Sequence, residues 1–155
     1  MLSSACQYSI RAMIYLATQK TDRFIPVREI SAQVGVSHSF LAKVLGDLSS
    51  GGLLRSLRGP TGGVHLAKPS KEVKIADIVR AVDGENVFAK CVLGLPDCGE
   101  SLPCPLHQSW GHVRDEFRFM MEQTTLEEFA NQTVSQGLRL KADLSDFVLN
   151  INKSS

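Results

Sequence analysis

Cys91, Cys98 and Cys104 stand in one short stretch of the chain, with six and five residues between them, and His107 follows three positions after the last thiol. Thiolates are soft donors and imidazole suits zinc, copper and iron, so three of the first and one of the second make a metal-binding loop conceivable. A structural zinc site usually sets two ligands two to four residues apart in a tight knuckle, and these intervals are wider. A long loop with three thiols and an imidazole can instead wrap a polynuclear iron–sulfur cluster, whose behaviour a histidine ligand would make sensitive to pH. On spacing alone a cluster, a zinc ion and a set of bare redox thiols all remain open. The plain alternative for His107 is a solvated surface histidine. Cys6 is remote from the loop in sequence and reads as a small buried hydrophobe.

The composition narrows the setting. With 43% hydrophobic and 21% charged residues the 155-residue chain has ordinary globular composition and is long enough to bury a core without staples. No apolar run approaches the roughly 18 residues of a membrane helix. Arg11 breaks the N-terminal apolar stretch and no basic segment precedes it, so a secretory signal is not expected and the cysteines are read in a reducing cytoplasm. The net charge of +1 is unevenly spread: residues 1–83 carry 11 Lys and Arg against 6 Asp and Glu, and residues 84–155 carry 6 against 10. A basic first half and an acidic second half suggest that the first meets a polyanion.

The elements that must position the loop are short. Ser3 or Ser4 can cap a first helix running to about Gln19, with Tyr8, Ala12, Tyr15 and Leu16 on its apolar face. Pro26 precedes a helix over 27–34 that Gly35 ends in a left-handed cap. Ser37 caps a further helix in which Leu41, Val44, Leu45 and Leu48 share one face and which Gly51 and Gly52 stop. Strands are expected over 53–57 and 64–67, joined by Arg58-Gly59-Pro60-Thr61-Gly62-Gly63. A polar loop, a helix over 75–83, the irregular cysteine segment, a helix over about 105–123 and a short helix capped by Thr125 and Glu128 complete the chain. Beyond Gly137 the tail reads as weak helix or disorder.

Two of these helices have the pattern of a helix-turn-helix. Ile30, Val34, Val36, Leu41 and Val44 take the apolar offsets, Gly35 the turn and Ser31 the position that must be small. With the strand pair behind them, the expected fold is mainly α with a small β-wing, a winged helix-turn-helix followed by a long dimerisation helix. Ser37, His38, Ser39, Phe40 and Lys43 then lie on the side away from the core, where short polar side chains can reach base edges or phosphates in a major groove. Arg28 and the wing residues Arg58, Gly59, Pro60, Thr61 and Gly62 complete the expected contact surface, Arg58 entering a minor groove or holding a phosphate. So few base contacts per subunit call for a homodimer on a palindromic operator in double-stranded DNA. Leu106, Trp110, Val113, Phe117 and Met120 recur at steps of four and three, a seam suited to that dimer. The expected division is 1–84 for DNA binding, 85–104 for the cysteine loop, 105–131 for the dimerisation helix and the short helix after it, and 132–155 for the tail.

The runs Ile25-Pro26-Val27-Arg28-Glu29-Ile30, Leu41-Ala42-Lys43-Val44-Leu45, Arg58 to Gly63 and Ile75 to Gly84, with the three-cysteine loop, resemble the Rrf-type winged-helix transcription regulators over roughly residues 2–130. The resemblance implies a homodimeric repressor or dual regulator whose DNA affinity follows an iron–sulfur cluster, with Cys91, Cys98 and Cys104 as ligands. In the branch that governs iron–sulfur assembly a histidine three residues after the last cysteine completes a 2Fe–2S site, and His107 stands there; a 4Fe–4S cluster is the other form. Where other members use an acidic residue of the partner's first helix, this chain has Gln7, a poor ligand. It departs from that branch in a longer first cysteine interval, in Val64 after the wing glycines and in Ala42 where a glutamate gates target choice.

The leading expectation is a regulator, not an enzyme, that senses nitric oxide, redox stress or cluster supply. The alternatives are a cluster-free thiol regulator of sulfur metabolism and an iron–sulfur carrier or redox protein. No phosphate-binding glycine motif and no nucleophile–base pair speaks for catalysis.

Overall fold

The structure, a computed structural model, describes residues 1–142; the end of the expected tail, 143–155, lies outside the described residues. Helix α1 (Ser4–Thr18) opens on Ser3, whose hydroxyl accepts the N–H of Cys6 at 3.1 Å. The backbone N–H of Ser3 donates to the Asp83 carboxylate at 2.8 Å and its hydroxyl donates to the other oxygen. Asp83 thus locks the end of a later helix to the start of the first. Helix α2 (Val27–Val34) follows Pro26 and ends at Gly35, where φ is 71° and the N–H returns to Ser31 O at 2.9 Å. Helix α3 (His38–Ser50) is capped by Ser37, whose hydroxyl accepts the N–H of Phe40.

Strands β1 (Leu54–Leu57) and β2 (Gly63–Leu66) form an antiparallel pair with Leu54 opposite Leu66 and Leu57 opposite Gly63. At the outer end each strand stops one residue short of its expected span, and at the turn β2 begins one residue earlier, because the last wing glycine itself pairs with Leu57. Ile25 adds a third rung: its N–H donates to Val64 O at 2.8 Å and its carbonyl accepts from Val64 N–H at 2.9 Å. A Cβ at Gly63 would stand 2.2 Å from Ile25 O, and one at Gly62 2.3 Å from Leu57 O. The glycines at 62 and 63 therefore serve a close approach within the chain itself. This is a winged helix-turn-helix.

After a 3₁₀ turn (Ser70–Glu72) comes α4 (Ile75–Asp83), then a second 3₁₀ turn (Glu85–Phe88), neither of which has a periodic signature. Helix α5 (His107–Gln123) starts two residues after Pro105, and α6 (Leu126–Gln136) opens on the expected capping box of Thr125 and Glu128. The core centres on α1, which packs against α2, α3, α4 and α6. Cys6, Ala12, Met13, Ile30, Leu41, Leu48, Ile75, Ile78 and Phe88 are buried in it. Helix α6 turns back to lay Leu126 and Ala130 into that core, and Leu126 alone stabilises this return by roughly 1.5–3 kcal/mol. Its turn is pinned where Ile75 N–H donates to Thr124 O at 3.1 Å and Leu126 N–H to Val73 O at 2.8 Å. Among the described residues no helix is long and apolar enough to cross a membrane.

These contacts give two glycine substitutions opposite signs. Gly63→Ala should lower stability by about 3 kcal/mol, the upper end for strain at a special backbone position. Gly46→Ala, with nothing within 4 Å of the added Cβ, should raise it by roughly 0.5–1 kcal/mol, because glycine in mid-helix loses more backbone freedom. Urea titrations followed by circular dichroism measure both.

Candidate functional site

The first of two sites is a groove of about 860 Å³ between the start of α2, the outer side of α3 and the wing. Arg28, His38, Ala42, Gly46, Arg58, Gly59, Pro60 and Gly62 are among its lining residues, and no acidic side chain is. Helix α3, at 13 residues, is about 20 Å long. Leu41, Val44, Leu45 and Leu48 fix its inner face, so its other side is exposed by construction. Of the residues expected at a DNA surface, Arg28, His38, Arg58, Gly59, Pro60 and Gly62 share this groove. Ser37, Ser39, Lys43 and Thr61 are exposed outside it. Phe40 is partly committed elsewhere, its ring edge-on to Tyr8 at 5.6 Å. Ser56 and Leu57, which line the groove from β1, were not among the expected contacts; their exposure beside the buried Leu54 is the signal that could have marked them.

Behind this groove Arg11 braces the helix-turn-helix. Its guanidinium lies over the Tyr8 ring at 4.7 Å and donates to Val34 O and to Leu140 O. The carbonyl at the end of α2 is thereby satisfied, and the chain after α6 is drawn to the turn between α2 and α3.

The second site is the cysteine loop. The sulfurs of Cys91, Cys98 and Cys104 lie within 4.8 Å of one another. They form no disulfide. Cys91 and Cys104 are 3.6 Å apart, and His107 Nδ1 is 3.3 Å from Cys98 Sγ. All four expected ligands are therefore in one place, as two close pairs. His107 is the first residue of α5, and its N–H donates to Cys104 O at 3.0 Å. The other end of the loop is anchored by Phe88, whose ring is fully buried, and by carbonyls of residues 88–90 that accept from Arg118, Arg114 and Trp110.

The thiols differ in acidity. Backbone N–H groups of Leu95 and then Leu93, outweighing partial burial, bring Cys91 down to about 7. Burial raises its neighbour Cys104, so the pair favours one thiolate beside one thiol. Burial, reinforced by the Asp83 carboxylate, pushes Cys6 up to about 12. The donor set fits a soft metal or an iron–sulfur cluster. In a 2Fe–2S centre each iron takes two protein ligands, and Cys91/Cys104 and Cys98/His107 are the pairs this geometry offers.

The apolar seam of α5 divides in two. Trp110 and Phe117 turn inward, Phe117 onto Phe88 with ring centres 5.8 Å apart. Leu106, Val113 and Met120 stay 45%, 57% and 48% exposed, joined by Phe119 at 63%, which the spacing argument missed because it lies one position off the seam.

A family model described as Rrf2, iron-dependent transcriptional regulator, matches residues 2–132. The chain is 32% identical to the HTH-type transcriptional regulator IscR of Photorhabdus laumondii, over 84% of its own length and 79% of that protein's. Among solved structures it is similar to CymR of B. subtilis, described as the global cysteine regulator, with a TM-score of 0.71 and 26% identity over 86% of this chain and 98% of that one. For Staphylococcus aureus CymR the TM-score is 0.66 and the identity 31%, over 83% and 96% of the two chains.

In reduced, metal-free protein, iodoacetamide should modify Cys91 first. A lowered value means that the charged form prevails above it, so the rate should climb through pH about 7 instead of the ordinary value near 8.5. Cys6 should stay unlabelled until the chain unfolds. Peptide mass mapping from about pH 6 to about pH 9 checks both, and equal labelling of Cys91 and Cys104 would contradict their acidity order.

Proposed function

The chain belongs to the Rrf2 family of DNA-binding transcriptional regulators, and within that family we propose that it is a homodimeric repressor whose operator affinity is set by an iron–sulfur cluster. The single observation that carries this reading is the gathering of Cys91, Cys98 and Cys104 within 4.8 Å, with His107 beside Cys98. Those four residues would hold the cluster, 2Fe–2S by the pairing of the ligands. When bound, it supplies a redox centre open to oxidants and to nitric oxide.

The chain's own residues do the rest. Residues 1–84 form the reading head: α3 enters a major groove with Ser37, His38, Ser39 and Lys43 forward, and Arg58 on the wing meets a phosphate or the adjacent minor groove. Leu106, Val113 and Met120 meet their counterparts on a second copy, so residues 105–131 join two heads over a palindrome. The loop, 85–104, runs directly into α5 at His107, so a change in how it is held bears on the helix that joins the heads.

A second reading has its own support in the 3.6 Å separation of Cys91 and Cys104. In a cluster-free regulator these two thiols would give two protons and two electrons to a peroxide, forming a disulfide and releasing water.

Protein purified without oxygen should be coloured and contain iron and sulfide in comparable amounts, and Cys98→Ala should abolish both. Operator affinity should differ at least about tenfold between loaded and cluster-free forms, a coupling of about 1.4 kcal/mol. A colourless preparation whose DNA affinity nevertheless falls on peroxide treatment selects the thiol reading. Arg58→Ala should weaken binding in either case, and the salt slope should fall by about one if the guanidinium contacts a phosphate.

A further inference from the structure

Three side chains spaced four residues apart on α5 end on three consecutive carbonyls. Trp110 Nε1 donates to Lys90 O at 2.9 Å, Arg114 to Ala89 O at 3.3 Å and Arg118 to Phe88 O at 2.8 Å. The spacing of four puts the donors on one face of the helix, and the residue after the last captured carbonyl is Cys91. Below the ladder the Phe88 ring is fully buried, with Arg80 at 5.4 Å and Arg118 at 5.8 Å over it. Arg80 is itself held by Glu85 and Glu122, one from the turn and one from α5.

This arrangement is a poor way to obtain stability. The Nε atoms of both Arg114 and Arg118 are buried without a hydrogen-bond partner, and a buried donor left unsatisfied costs free energy that an apolar side chain of similar size would avoid. What the guanidinium and indole groups achieve, and apolar residues could not, is direction: they fix three peptide planes in a segment that has no regular structure of its own after Phe88.

We propose that Trp110, Arg114 and Arg118 are positioning residues that clamp the segment bearing Cys91 to α5, so that the state of the thiol loop and the placement of that helix change together. The proposal rests on the regulator reading for its output, but the clamp itself is a property of the cluster-free chain. The exposed Leu106 and Val113 are the helical neighbours of Trp110, four and three residues away, and Met120 continues their stripe two turns beyond Val113. One helix therefore carries the clamp and, on the adjoining flank, the surface offered to a second copy.

Trp110→Phe keeps the ring and removes only the N–H; Arg114→Met keeps the stem and removes the donors; Arg114→Lys restores one donor. In folded, cluster-free protein, alkylation of Cys91 should run at least about fivefold faster in Trp110→Phe and Arg114→Met than in wild type, and return to within about twofold in Arg114→Lys. The chain has a single tryptophan, so its emission maximum reports the release of the clamp in Arg118→Met. In loaded protein, the ratio of operator affinities between loaded and cluster-free forms should shrink at least about fivefold in Trp110→Phe and Arg114→Met, with cluster-free affinity unchanged. Cys91 reactivity equal to wild type in both folded variants overturns the clamp. If wild type takes up no cluster, the regulator reading fails on its own, and the alkylation comparison still decides the clamp.

Discussion

The reading head depends on one close approach of backbone to backbone. Ile25 and Val64 exchange both of their hydrogen bonds, at 2.8 and 2.9 Å, and Gly63 lets them do so because no side chain fits between the strands. That rung sets where the chain stands when Pro26 starts α2, and it fixes the root of the wing in the same stroke. Leu41, Val44, Leu45 and Leu48 then orient α3 against the core. The groove between helix and wing is thus a consequence of the rung, and its basic lining by Arg28 and Arg58 is arranged on rigid supports.

The four cysteines show how surroundings divide one residue type into different chemistries. Cys6 is on the buried face of α1 near the Asp83 carboxylate, and both burial and charge keep it a thiol. Cys91 sits in an irregular loop whose free N–H groups point at its sulfur, and they favour the anion. Irregular backbone is what makes those donors available, since a helix or sheet would have consumed them. The same irregularity would leave the loop poorly fixed without outside help, which comes from α5.

Much of this was legible in the residue pattern, for definite reasons. Ser37, Gly35, Gly84 and the Thr125–Glu128 box act through their own backbone neighbourhoods, so helix limits followed from local chemistry. The four candidate ligands of the loop were identifiable as residue types, although their division into two close pairs was not. The α5 seam was visible as a repeat, but periodicity marks apolar positions without saying what covers them; only the fold separates Trp110 and Phe117 from Leu106, Val113 and Met120. The clamp on residues 88–90 left no trace, because every residue has a carbonyl and none advertises its partner. Phe40 likewise has a partner that the pattern could not show: it stays 36% exposed beside the other expected contact residues and meets the Tyr8 ring edge-on.

Helix α5 is moored at both extremities. Its first residue hangs from Cys104 O, and just past its last turn the chain is stitched to the approach to α4 through Thr124 and Leu126. A rod fastened at its two ends cannot be drawn lengthwise past its supports, so the motion left to it is a small roll, which the hydrogen bonds from Trp110, Arg114 and Arg118 to residues 88–90 couple to the loop. In the homodimer proposed above, a change at the thiols would therefore reach the helix as a torsion, and across the two-fold axis a small roll of each rod would become a change in the angle at which the two heads face a duplex.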